Sequence, residues 1–131
     1  MKYAKKIVEY YKDSRMPPDI IHAARIGDIN EAAAALQEDS NCITKTDFHG
    51  MNALQVSLKN FHTDFSLYIL AETKISILKK DHLGRDSLDL ALIFSNNALG
   101  DIIWNKWNQE YQEKFQKEEN NVNPFPFPDP D

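Results

Sequence analysis

The sequence predicts an all-α fold of stacked two-helix repeats closed by a capping helix at each end, in the manner of a repeat solenoid. Three observations predict it. The first is an internal echo at a spacing of 34: Asp47 aligns with Asp81, Gly50 with Gly84, Asn52 with Asp86, Leu54 with Leu88, Ser57 with Ala91 and Leu58 with Leu92. One step back, Ile20 falls under Leu54, Ala23 under Ser57, Ala24 under Leu58 and Ile43 under Ile77. A fixed period of this length is the mark of a repeat architecture. The second is that each copy reads as a turn followed by two short amphipathic helices. The third is that apolar stripes extend beyond the copies at both ends, where a stack has to cover its terminal faces.

In chain order, residues 1–15 form the first cap helix, with Tyr3, Ile7, Val8 and Tyr11 on one stripe and Met16-Pro17-Pro18 ending it, because proline cannot continue a helix. The copies follow at 17–46, 47–80 and 81–117. In the second and third, an Asp and a Gly flank a tight turn, and Asn52 or Asp86 caps the helix that comes next. Glycine supplies the positive φ of such turns, and Asn or Asp accepts from the free N–H groups of a helix start. Leu54, Ser57 and Leu58, like Leu88, Ala91 and Leu92, stand at i, i+3 and i+4, one face of a helix. The second helices carry Ile29, Ala32, Ala33 and Leu36; Phe65, Ile69 and Leu70; and Leu99, Ile102 and Ile103. The last of them runs on to about Lys117, with Trp104, Trp107, Tyr111 and Phe115 as an aromatic stripe that seals the stack. Residues 118–131, with four of the six prolines, are extended or disordered.

The chain of 131 residues suits one domain, residues 1–117, and its 42% hydrophobic and 27% charged composition is that of a globular protein without a membrane span. Glu9, Lys12 and Asp13 interrupt the apolar residues that a signal peptide needs, which places the chain in the cytoplasm of its own cell or of a host. A single cysteine, Cys42, rules out an internal disulfide. Residues 1–16 carry five basic residues against two acidic, 17–109 eight against twelve, and 110–131 two against six. Without a basic stripe on the body, nucleic acid is not the expected partner, and the acidic body and tail suit a basic protein.

The helical copies resemble the ankyrin repeat family, whose unit of about 33 residues carries a pattern close to D-x-x-G-x-T-P-L-H-x-A-A-x-x-G-H. Pro18-Asp-Ile-Ile-His-Ala-Ala-Arg-Ile-Gly-Asp28 is the nearest fragment, while the Thr-Pro-Leu-His tetrad is replaced by Asn52-Ala-Leu-Gln55 and Asp86-Ser-Leu-Asp89. Phe61 and Ser95 stand where the late glycine is expected. The resemblance implies an outward, concave face used to bind proteins, mapped here onto Arg25 and Ile26; Phe48, His49, Met51, Lys59 and Asn60; and His82, Leu83, Arg85, Ile93, Phe94 and Ser95. Phe48, Met51, Leu83 and Phe94 would then form an exposed apolar set, and such sets mark interfaces. The Pro124-Phe-Pro-Phe-Pro-Asp-Pro-Asp131 tail offers Phe125 and Phe127, either to a partner's groove or to the protein's own surface.

Enzyme chemistry finds little to stand on. His22, His49, His62 and His82 show no metal-ligand spacing, and no phosphate loop, nucleophile elbow or paired-carboxylate set appears. No metal or other cofactor is expected. The expectation is a non-catalytic module, monomeric when free, that binds and inhibits or sequesters one protein partner, as an immunity protein or an effector or phage inhibitor does. The alternatives are a small hydrolase using Cys42, Asp47 and His49, and a structural repeat that associates with its own copy.

Overall fold

The computed structural model describes residues 17–94 and 97–119. The expected cap helix at 1–15, Ser95 and the tail from residue 120, with Phe125 and Phe127, lie outside the described residues. Those described are all-helical: α1 (Ile20–Ile26), α2 (Ile29–Glu38), a 3-10 turn (Ser40–Thr44), α3 (Ala53–Lys59), α4 (Thr63–Glu72), α5 (Ser87–Ile93) and α6 (Asn97–Glu119). The helices pair as α1–α2, α3–α4 and α5–α6, and α3 packs against both α1 and α5. No helix is long and apolar enough to cross a membrane among the described residues.

Carboxylate and amide side chains cap the starts of α1, α2, α3 and α5, and the sequence marks Asn52 and Asp86 among them. Asp19 caps α1 by accepting from Ile21 N, Asp28 caps α2 through Glu31 N, and Asn52 and Asp86 cap α3 and α5 through Gln55 N and Asp89 N. Gln55 and Asp89 return a hydrogen bond to the Asn52 and Asp86 N–H groups, so both helices open on a reciprocal capping box. Gly27, at φ 79°, closes α1.

A single step of 34 does not hold throughout. The caps Asp19 and Asn52 are 33 apart, whereas Gly27 and Phe61, both at positive φ, are 34 apart. The extra residue falls between the helices of the second pair: Gly27 and Asp28 link α1 to α2, but Asn60, Phe61 and His62 link α3 to α4. Counted from the caps, Ile21 rather than Ile20 stands under Leu54; all three are buried.

The core runs through all three pairs, from Ile20 and Ile21 through Leu54, Leu58, Phe65 and Ile69 to Leu90, Leu99 and Ile103. Every residue of α3 from Ala53 to Leu58 is buried because α1, α4 and α5 all pack on it. Leu92 departs from its expected place. It is 67% exposed where the matching Leu58 is 1%, since α5 covers Leu58 and no described helix stands beyond α5. Ile102 is also partly exposed, its neighbour Ile103 taking the inward direction.

Candidate protein-interaction surface

The turn ahead of α3 is built by one carboxylate. Asp47 Oδ1 accepts from His49 N at 2.9 Å and Met51 N at 3.0 Å, while Asp47 N donates to Met51 O at 2.9 Å and Gly50 N to Asp47 O at 3.0 Å. Asp81 reproduces all four bonds with Leu83, Arg85 and Gly84. Gly50 and Gly84 hold φ values of 77° and 80°, which an L side chain resists. The two turns are tied by a backbone bond from His82 N to His49 O at 2.9 Å, and the His82 ring lies over Gly50. Four residues thus project at the tips, with Phe48 80% and Leu83 78% exposed beside the exposed His49 and His82. The Phe48 and His49 rings pack at 4.3 Å.

Met51 and Arg85 hold the same place in the two turns and behave oppositely. Met51 was expected to be exposed and is 1% exposed, part of the core. With both its backbone groups held by Asp47, its thioether side chain fills apolar space, which an apolar chain gains by doing. Arg85 instead turns back to its own carboxylate, Nε lying 2.9 Å from Asp81 Oδ2. Burial works to raise the Asp81 carboxyl, but the N–H groups of Arg85 and Leu83 and the Arg85 guanidinium outweigh it and hold the group below its usual value. Neither Met51 nor Arg85 is a free contact residue.

A second row lies at the C-terminal ends of the first helices, about 10 Å away along α3 at 1.5 Å per residue. It holds the exposed Arg25, Ile26, Lys59, Asn60 and Ile93, with Phe94 half-buried. Asn60 spends its side-chain amide on Val56 O at 2.8 Å. Phe61 was not among the expected contact residues and belongs here: it is 65% exposed, and its ring meets Phe94 edge-on at 5.5 Å. It is also the one described non-glycine residue at positive φ, 62°. The signal was present, since Phe61 occupies the position of Gly27 one repeat later. His62 secures this edge, its ring against Gly27 and its Nε2 donating to Arg25 O at 3.0 Å.

Other chemistry is poorly served. Cys42 is buried, burial raises its thiol above the usual value, and no hydrogen bond joins that thiol to the His49 ring among the described residues. A thiol so placed is a poor nucleophile. The Asp47 oxygen that would orient His49 is taken by backbone N–H groups. No cluster of three or more metal-ligating side chains occurs among the described residues. A cleft of about 340 Å³ between the segment after α4 and α6 is crossed by Glu110, whose carboxylate accepts from Ser76 Oγ at 2.6 Å and Ile77 N at 2.8 Å. That carboxylate fastens the segment to α6 and is not free for a ligand.

The chain matches no protein-family model and no curated protein sequence.

Proposed function

We propose that the protein is a non-catalytic, ankyrin-like repeat module that binds a protein partner across the two rows described above. One observation carries the reading: two turns of identical hydrogen bonding, tied by His82 N to His49 O, hold Phe48 and Leu83 in water at 80% and 78% exposure. Apolar side chains fixed in place by a rigid backbone lose little entropy on binding, and aromatic anchors of this kind dominate interface energies. The strained, exposed Phe61 beside Phe94 adds to it, since a positive φ in a bulky residue is kept only where the surroundings impose it.

The ankyrin reading draws support from the three helix pairs, the paired turns and the row of first helices. Gln55, standing where the tetrad has its histidine, ties α3 to the approach of the third copy: its Nε2 donates to Lys79 O at 3.0 Å and Arg85 O at 2.9 Å. The module acts by occupancy, masking a basic surface of its partner in the cytoplasm of its own cell or of a host; a net charge of -5 favours such a partner. Inhibition or sequestration, as by an immunity protein or an effector, is the simplest use of one such face.

Affinity capture from the native lysate tests this. The wild type should retain one specific protein, and the Phe48→Asp, Leu83→Asp variant, whose changes lie on exposed tips, should lose it at unchanged thermal stability. Equal recovery by both would refute the surface.

A further inference from the structure

Helix α6 carries a continuous aromatic ribbon. Trp104, Trp107, Tyr111 and Phe115 stack in sequence, with ring centroids 5.8, 5.2 and 5.9 Å apart and ring planes within 6°, 6° and 15° of parallel. Among the described residues only Trp107 of the four is engaged by the helix pairs, through Nε1 donating to Asp86 Oδ2 at 2.8 Å. Trp104, Tyr111 and Phe115 remain 49%, 42% and 42% exposed, and the helix is exposed on all sides from Tyr111 to Gln116. A ribbon of four parallel rings, three of them exposed, is a large apolar surface for a small protein to leave in water.

We propose that this face is covered by the chain's own C-terminal segment, Pro124 to Pro130. Three observations select that occupant. The first is position: the segment begins five residues after Glu119, the end of α6, so four residues, 120–123, are available to reverse the chain, and four can span up to ~14 Å. Phe115 lies only about 6 Å back from that helix end at 1.5 Å per residue. The second is length. From Trp104 to Phe115 the ribbon rises about 16 Å, and seven residues in a polyproline helix cover about 19 Å. Alternate residues in that conformation advance about 6 Å, close to the ring spacing on α6. The third is chemistry. Proline rings are compact apolar groups that pack against aromatic side chains, and the four prolines carry no N–H that would be stranded against an apolar surface. Their restricted backbone leaves little entropy to lose. The tether keeps the effective concentration high, so even weak ring contacts suffice.

The test is proton NMR on the full chain at low concentration. Ring-current shifts of the proline side-chain protons and nuclear Overhauser contacts from them to Trp104 and Tyr111 are expected. Random-coil proline shifts without such contacts overturn the proposal. Mixing labelled with unlabelled chains should give no intermolecular contacts; contacts found only between chains would mean that a second copy, through its tail or its α6, covers the ribbon, and this too overturns it. In the Trp104→Ala, Tyr111→Ala variant, which keeps Trp107 on Asp86, the docked fraction read from the residual shifts should fall about tenfold, the effect of losing ring contacts of ordinary strength. Undiminished shifts in that variant would also rule out the ribbon as the docking face.

Discussion

Asp81 shows how much one side chain organises here. Its carboxylate accepts from two backbone N–H groups and from Arg85 while 6% of the residue is exposed. A carboxyl held below its usual value stabilises the fold above the unfolded-state value, near 4, and that contribution disappears as pH falls through the lower folded value. Asp81→Asn should therefore cost about 1–3 kcal/mol at neutral pH, and progressively less as the pH is taken below the usual carboxylate range, as read from urea midpoints along a pH series. Gly50 and Gly84 separate two effects that a glycine turn combines. Both need positive φ, so alanine at either should cost about 1–2 kcal/mol. Only at Gly50 would the new Cβ meet the His82 ring, at 2.5 Å, while at Gly84 nothing lies within 4 Å. Gly50→Ala should be the worse of the two, and adding His82→Ala should bring it back to the level of Gly84→Ala. Ser87 Oγ is buried without a hydrogen-bond partner among the described residues. Ser87→Ala should leave thermal stability unchanged or raise it by up to about 1 kcal/mol, because no bond is lost and a hydroxyl is spared desolvation.

Among the elements, α3 carries the most because every neighbour leans on it. Gln55 is fully buried, accepts from Asn52 N at 2.8 Å and donates to two carbonyls of the next repeat's approach, Lys79 and Arg85. Gln55→Leu keeps the volume and strands one N–H and two carbonyl groups, so a loss of about 3 kcal/mol is expected, measured by chemical denaturation. Asn52 adds a bond to Ser76 O at 3.1 Å, so the same capping box that starts α3 also anchors the segment leading into the third copy. The sequence marked Asn52 as a cap, and Gln55 only as the residue standing in the place of the tetrad histidine. Their long-range bonds were not legible, because the carbonyls they reach lie 24 or 30 residues away. In α6, Trp107 ties the long helix to the Asp86 cap, and Glu110 ties it to the segment at Ser76–Leu78. Trp107→Phe should cost about 1–2 kcal/mol, chiefly the bond to Asp86.

For the molecule as a whole, the decisive property is that α3 lies against both α1 and α5, so that positions matched by the sequence echo have different surroundings. Leu58 and Leu92 hold one repeat position and are 1% and 67% exposed. Met51 and Arg85 hold another, one in the core and one on its own turn carboxylate. Leu54 on α3 is fully buried in the core, so Leu54→Ala should cost about 2–5 kcal/mol. Leu92→Ala at the open side of α5 should stay within about 0.5 kcal/mol, a contrast that thermal denaturation of the two variants would read directly. If Leu92 proved as costly as Leu54, α5 would have to be covered in solution.

Local grammar was enough to expect helices: the Asn52 and Asp86 caps, the glycine turns and the 3.6-residue stripes act over a few residues, and α3 and α5 begin at those two caps. The 34-residue echo likewise announced that the turns at Asp47 and Asp81 would be alike, because the same short stretch of chain forms the same hydrogen bonds wherever it occurs. Tertiary structure decided which of the repeated positions are exposed. Burial is set by what lies alongside, and a repeat period says nothing about where the row stops. That is why Met51 is buried where exposure was expected, Phe61 is exposed beside Phe94, and of the α6 aromatic stripe only Trp107 packs on the core among the described residues.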